Sequence, residues 1–269
     1  MPWTRRYEEA LPQRVNRWLA QAGVCSRREA EALIAAGRVT IDGARVEDAG
    51  RKIAAGQVLV LADAGEGGAA AAGGETYVVH KPVGVVSAQP EAGQVPAARL
   101  LTGEALWRGA PAGVAPPPRD ASLAPAGRLD MDSRGLLLLT SDGVVAKAAI
   151  GPASALDKEY LVRVVGSLTN ARLARLRHGL ELDGRALKPA EVSRLGEGAF
   201  RMVLHEGRNR QIRRMCELLE LRVVDLFRVR IGPLELGALP EGRWRPLLAG
   251  ERAALVSASQ AGPAAGPGS

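Results

Sequence analysis

Residues 127–143 read GRLDMDSRGLLLLTSDG. Three carboxylates, Asp130, Asp132 and Asp142, bracket the uninterrupted run Leu136–Leu139. Charged side chains avoid interiors unless paired, so the stretch has two readings. In one, Leu136–Leu139 is a buried strand with solvated turns at either end. In the other, the same strand is a rigid base for a loop that holds Asp130 at the edge of a pocket for chemistry. A short continuous apolar run suits a strand buried on both faces. Gly127 and Gly135 flank the acid and indicate tight backbone geometry or close approach to a ligand. Asp142-Gly143 then enters VVAKAAI, a short helix, and Asp132 and Asp142 read as turn and cap residues.

The rest of the chain narrows the choice. Its 269 residues suffice for one large domain or two unequal ones. A net charge of +7 and a pI near 10.0 point to a polyanionic partner. Aromatic residues make up only 3%, too few for a broad base-stacking platform. Cys25 and Cys216 cannot build a disulfide framework, and no Cys/His cluster has zinc-like spacing. These features fit a reducing cytoplasm and no structural metal. The start, MPWTRRYEEA, lacks an apolar signal core, and no apolar run reaches membrane length.

Composition divides the chain. ADAGEGGAAAAGGE, 62–75, has no periodicity and reads as a flexible linker between a small unit at 12–61 and a large one at 76–256. The stretch 257–269 reads as a disordered tail, and 108–125 as a surface loop. In the small unit, Val15, Trp18, Leu19 and Ala22 share a helical face that Gly23 ends. A second helix opens with the capping-box pair Ser26 and Glu29 and stops at Gly37. RVTIDGARV then forms a hairpin around Asp42-Gly43. Arg14, Arg17, Arg27, Arg28 and Arg38 make a candidate basic, RNA-binding face; taken singly, each is equally well a solvated arginine.

In the large unit, TYVVHKPVGVVSA, KEYLVRVVG, AEVSRL, AFRMVLHE and RVVDLFRVRIG read as strands. TNARLARLRHGL, with Thr169 as cap, and RNRQIRRMCELLE, with Ile212, Met215, Cys216 and Leu219 at helical spacing, read as helices. Strands outnumber helices and are often neighbours, which predicts an α+β domain on a mainly antiparallel, mixed sheet. There is no phosphate-binding loop and no GxGxxG after a strand. His80, His178 and His205 are scattered, which argues against a metal or Ser-His-Asp site and leaves carboxylate and arginine chemistry.

Two longer patterns are more specific. RVNRWLAQAGVCSRREAEALIAAGRVTIDG resembles the αL RNA-binding domain known from a small-subunit ribosomal protein, over nearly all of 13–61. GRLDMDSRGLLLLTSDG resembles the signature of RsuA/RluB-type pseudouridine synthases, with HKPVGVVS at 80–87, KEYLVRV at 158–164 and EGRNRQIRRMCELLELRVVDLFRVRIGPLEL at 206–236 following the same family in order. His80 stands where that family more often has Asn.

The resemblance implies that Asp130 is the catalytic aspartate of a cofactor-independent isomerase. Uracil is detached from ribose, rotated and rejoined through carbon five. A carboxylate either attacks the anomeric carbon or assists loss of a ribose proton, and both routes need an ionised Asp in a dry pocket. A desolvated Asp stays ionised only beside a cation, and the resemblance assigns that partner to Arg213. It further implies that Tyr160 packs on the flipped base and relays a proton. Arg128 fills the space the base leaves, since a stacked base must be extruded for chemistry. Lys81 lies in the family's Lys-Pro segment near the site, with a structural role, and Arg210 and Arg214 face RNA. The implied partner is ribosomal RNA or a ribosomal precursor particle, acted on by a cytoplasmic monomer without contact with a membrane. A non-catalytic ribosome-assembly factor on the same scaffold is the alternative, against which the retained set Asp130, Tyr160 and Arg213 argues. A DNA-binding regulator is weaker, because nothing reads as a helix-turn-helix with a dimerisation element.

Overall fold

The structure is a computed structural model that describes residues 3–22, 24–25, 27–48, 50–62, 74–119, 121–151 and 154–260. Most of the 62–75 segment, the helix-stopping Gly23, the cap Ser26 and the side chains of Arg27 and Arg28 therefore lie outside the described residues. The chain divides into two compact units, Met1–Glu75 with Thr140–Lys147, and Thr76–Leu139 with Ala148–Ser269.

The first unit contains β1 (Trp3–Arg6), α1 (Val15–Gln21), α2 (Arg27–Ala35), β2 (Val39–Ile41), β3 (Ala44–Arg45) and β4 (Val58–Leu61). Its sheet runs β1-β4-β2-β3. Val15, Trp18 and Leu19 of α1 pack with Leu33 and Ile34 of α2 against Val39, Ile41 and Leu59. Asp42 and Gly43 at φ 50° and 83° make the predicted hairpin turn, and Gly37 at φ 69° ends α2. The unit begins earlier than residue 12, however. β1 pairs antiparallel with β4, and Tyr7 is fully buried with its ring edge on Trp18, 5.2 Å between centroids. The segment WTRR gives little sign of this, because as an edge strand it exposes three of its four residues.

The second unit is built on a mixed sheet. Its main strands are β5 (Thr76–Lys81), β6 (Arg134–Thr140), β7 (Lys158–Val165), β8 (Glu191–Gly196), β9 (Ala199–Leu204), β10 (Arg222–Ile231) and β11 (Trp244–Pro246), in the order β8-β9-β7-β10-β6-β5-β11. The pairs β8–β9, β9–β7, β7–β10 and β5–β11 are antiparallel. β6 and β10 run parallel, joining at Arg134↔Phe227 and Gly135↔Arg228. The expected α+β class is thus the class observed.

α3 (Gly143–Ile150) follows β6, and buried Asp142 caps it by accepting from Val144 N at 2.8 Å. α4 (Asn170–Arg177) opens on Thr169, whose hydroxyl accepts from Arg172 N at 3.2 Å. α5 (Gln211–Glu217) places Ile212, Met215 and Cys216 in one core with Leu173 and Leu176 of α4 and Val162, Phe200 and Met202 of the sheet. A second core gathers Tyr77, Val79, Leu129, Leu137, Leu139 and Trp244.

α6 (Ala249–Gln260) carries helix four residues into the stretch read as a tail, while 261–269 lie outside the described residues. Low complexity concealed this end. Glu251 accepts from Leu248 N at 2.9 Å and from both Arg245 Nη atoms at 2.7 Å, fixing the first turn. Alanine-rich sequence then continues a helix readily, and Leu255 is fully buried.

Candidate active site

Leu136–Leu139 are 0–1% exposed, so the strand half of the opening question is settled. The loop before it is held at several backbone polar groups. Ala126 N donates to Leu138 O at 2.9 Å. Arg228 donates from Nη2 to Gly127 O at 3.2 Å, from Nη1 to Arg128 O at 3.3 Å and from Nε to Leu136 O at 2.8 Å. Ser87 Oγ donates to Leu129 O at 2.7 Å and accepts from Leu129 N at 2.9 Å. Ser133 N donates to Asp130 O at 3.1 Å, and Gly84 N to Met131 O at 2.8 Å. Paired backbone groups do not wander, so the Asp130 side chain springs from a fixed base. Its carboxylate is 33% exposed, an open face rather than the expected dry pocket.

The cation beside Asp130 is also not the one expected. Arg210 Nη1 lies 3.5 Å from Asp130 Oδ2 and 3.3 Å from Asp132 Oδ1, and Arg210 Nη2 lies 3.1 Å from Asp132 Oδ2. Arg210 caps α5 in the left-handed region, φ 48°, a conformation non-glycine residues seldom take and that often marks functional sites. Arg213 is buried and reaches past Asp130. Its Nη2 donates to Asp132 O at 2.7 Å and Ser133 Oγ at 3.2 Å, and its Nη1 to Val223 O at 3.3 Å. Its Nε sits 3.2 Å from Asp132 Oδ2 but is not aligned to donate. The motif correctly brings Arg213 to the aspartate loop; the two-residue step from Asp130 to Asp132 decides which carboxylate it meets. Asp132 is accordingly more than a turn residue. Burial pushes its carboxyl up, but the Arg210 hydrogen bond and the charges of Arg213 and Arg210 outweigh this and hold it below the usual range. Arg214, expected to face RNA, makes a bidentate pair with Asp183 at 2.9 and 2.6 Å.

Lys81 is 0% exposed, and its ammonium donates to Pro82 O at 2.8 Å and Val85 O at 2.6 Å. Burial pulls its pKa down to about 8, while the charges of Asp130 and Asp132 pull it up. Arg228, 1% exposed, lies in the strand register between Tyr160 of β7 and Gly135 of β6. The β7–β10 ladder shifts register between Glu159 and Tyr160, a bulge of the kind that re-aims a side chain near active sites. Tyr160 is half-buried and packs against both cores. A Cβ at Gly135 would stand 2.2 Å from Arg228 O, so only glycine allows these backbones to meet. Arg128 is exposed.

Reading motifs singly overlooked Ser87 and Arg228 and gave Asp132 only a turn role. Arg228 left no signal of its own, because the same strand also carries Arg222, Asp225 and Arg230. His80, by contrast, stacks on Phe227 at 5.3 Å and bonds Leu239 O at 2.8 Å, a scaffold position. Among the small-unit arginines, Arg14 and Arg17 are exposed and Arg38 is bonded to Ala62 O at 2.7 Å. No group of three or more His, Cys, Asp or Glu among the described residues could hold a metal. A cavity of about 320 Å³ lined by Trp107, Arg108 and Arg243 does not include Asp130 in its walls. No described helix is long and apolar enough to cross a membrane.

Residues 75–218 match the RNA pseudouridylate synthase family, and residues 13–59 the S4 domain family. An RNA pseudouridine synthase of Aquifex aeolicus is 34% identical over 91% of this chain and 94% of its own. The ribosomal large subunit pseudouridine synthase B of Vibrio cholerae is 36% identical over 88% of this chain and 72% of its own. The dual-specificity RNA pseudouridine synthase RluF of Escherichia coli K12 is 30% identical over 87% and 75%. A crystal structure of a pseudouridylate synthase superposes with TM-score 0.60 at 27% identity, covering 90% of this chain and 99% of that one.

Proposed function

The chain belongs to the RNA pseudouridine synthase family, and from that premise we propose that it isomerises one uridine of ribosomal RNA with Asp130 as the acting carboxylate. The observation that carries this reading is the loop of residues 126–131, bonded from several sides so that the Asp130 side chain springs from a fixed backbone with its carboxylate beside Arg210. Preorganised placement of a reacting group is a major source of catalysis.

The reaction breaks the bond from ribose C1′ to uracil N1, turns the base and forms the bond from C1′ to C5; the proton on C5 is lost and N1 gains one. Asp130 acts at the sugar, by attack on C1′ or by taking the C2′ proton; both roles need the same ionised oxygen. Arg210, beside both carboxylates, supplies the nearby positive charge. Arg213 fixes the turn through Asp132 and Ser133. Tyr160 offers the extruded base an aromatic face and a hydroxyl that relays protons. Arg128, exposed beside Asp130, occupies the gap in the RNA stack. Arg214, paired with the Asp183 carboxylate, is not free to reach for phosphate while that pair holds.

The unit with the S4 match grips structured RNA by shape and phosphates, led by Arg14 and Arg17 and, from the sequence, Arg27 and Arg28; Arg38 braces the end of β4. The two units act as separate domains, in a cytoplasmic monomer working on ribosomal RNA or a precursor particle. Its basic charge supports the ribosomal RNA partner. Mapping pseudouridine in ribosomal RNA from cells with and without the protein tests the reading. Loss of one site, restored by the wild-type chain, is expected; unchanged RNA would favour a binding factor without catalysis.

A further inference from the structure

Arg228 presents a physical problem. It is a cation in the middle of a central strand, 1% exposed, and among the described residues it has no carboxylate partner. Burying an unpaired charge is costly. An apolar residue would suit the flanking cores better, so stability alone does not explain an arginine here.

Its three acceptors suggest the compensating gain. Gly127 O, Arg128 O and Leu136 O lie on both limbs of the loop that carries Asp130: two precede the acid and one lies in the buried strand after it. One planar guanidinium thus ties the ascending and descending limbs together. Ser87 performs a matching task from another element, taking both the N–H and the C=O of Leu129, the residue next to Asp130. The strand register adds a third relation. Tyr160, Arg228 and Gly135 face one another across β7, β10 and β6, so the residue that fixes the loop is the neighbour of Tyr160 on one side and of the loop's strand on the other.

We propose that Arg228 and Ser87 are positioning residues that clamp the Asp130 loop and set the distance between its carboxylate and Tyr160. Neither touches the reacting atoms. This deepens the reading of Asp130 as the acting carboxylate and rests on it. A lysine cannot replace Arg228, because one ammonium does not span three carbonyls in the plane of a guanidinium.

The test is Arg228→Lys, Arg228→Ala and Ser87→Ala in the full chain, with folding followed by near-ultraviolet circular dichroism. On ribosomal RNA under saturating conditions, kcat should fall about a hundredfold in Arg228→Ala and about tenfold in Arg228→Lys and Ser87→Ala, the scale of misplacing a catalytic group by a fraction of an ångström or more. RNA affinity should stay within about twofold, because no clamp atom faces phosphate. Millimolar ethylguanidinium should restore part of the kcat of Arg228→Ala and leave wild type and Ser87→Ala unchanged. Hydrogen exchange should accelerate at the Ala126 and Leu129 amides in Arg228→Lys while β9 stays protected. A folded Arg228→Lys with wild-type kcat, or an Arg228→Ala deficit found wholly in RNA affinity, would overturn the clamp. Wild-type protein that forms no pseudouridine while the exchange effect appears would instead count against the acting role of Asp130 and leave the clamp standing.

Discussion

The second unit holds two dense clusters of charge built on opposite rules. Along the sheet, Arg201, Glu159, Arg230 and Asp157 form a continuous chain of opposite-charge pairs. Arg201 meets Glu159 at 2.6 and 2.9 Å, Arg230 meets the same carboxylate at 2.9 Å, and Arg230 meets Asp157 at 2.7 and 3.0 Å. Beneath Asp130 the arrangement is different: Lys81 and Arg228 are fully buried and are bonded to carbonyls alone. A paired network satisfies itself and leaves little field to act elsewhere. Buried cations bonded only to neutral dipoles keep their charge available to the carboxylates nearby, and the rise that Asp130 and Asp132 impose on the Lys81 pKa is the same coupling seen from the amine.

The comparison can be broken by substitution. Arg213→Ala should have the largest effect of the four that follow. It leaves Asp132 O, Ser133 Oγ and Val223 O without their donors. Each orphaned buried acceptor costs about 1–3 kcal/mol. Pseudouridine formation should fall about a hundredfold as the turn loosens, with a lower thermal midpoint; unchanged rate and midpoint would remove Arg213 from the loop's support.

Arg210→Ala comes next, with a roughly tenfold loss of kcat, the effect of removing one partly solvated charge. Its stability signature has a definite sign. Asp132 is held below its ordinary pKa by Arg210 and Arg213, so that stabilisation is complete above about pH 4 and is lost as pH falls through the lowered value. The difference in thermal midpoint between wild type and Arg210→Ala should therefore shrink in acid; a constant difference would show that the pair contributes no charge-dependent stability.

Lys81→Met gives a smaller, pH-graded effect. The folded pKa near 8 lies below the ordinary lysine value of 10.5. Below pH 8 the buried amine is charged in both states and its burial penalty is full; between about pH 8 and 10.5 the folded form sheds its proton first and the penalty is relieved. Stability of wild type relative to Lys81→Met should rise by about 2 kcal/mol between about pH 7.5 and 9.5. A flat difference in denaturant titrations across that window would place Lys81 outside the buried cluster. Glu159→Gln should matter least for catalysis. It weakens the paired network by about 1–2 kcal/mol and should leave kcat within about twofold. A large rate loss there would mean that the paired cluster also serves the site.

Most of the fold was legible because periodicity reports burial directly. Leu136–Leu139, the Asp42-Gly43 hairpin and the Thr169 cap each follow from local chemistry. β1 was missed because an edge strand with one apolar residue has no alternation to read. The four helical residues past 256 were missed because alanine, serine and glutamine look alike in a tail and in a helix whose start is capped by distant pairing. At the site, the motif located the aspartate loop and the arginine helix but not their register. Which of Arg210 and Arg213 meets Asp130 depends on the turn at Arg210 and on Asp132, features that span 78 residues of chain. Ser87 and Arg228 bind backbone carbonyls and amides, which have no letter in the sequence.

Single-turnover conversion of uridine by Asp130→Asn, measured beside Asp132→Asn at saturating ribosomal RNA, tests the role of the presented carboxylate most directly. Asp130→Asn keeps the size of the side chain and removes its charge. Conversion should drop by at least about three orders of magnitude, with RNA affinity within about twofold of wild type. Asp132→Asn, which weakens the pairing with Arg210 and Arg213 but leaves the Asp130 carboxylate in place, should retain measurable turnover. Conversion by Asp130→Asn near the wild-type rate, or loss confined to Asp132→Asn, would contradict the assignment of Asp130 and move the chemistry to its neighbour.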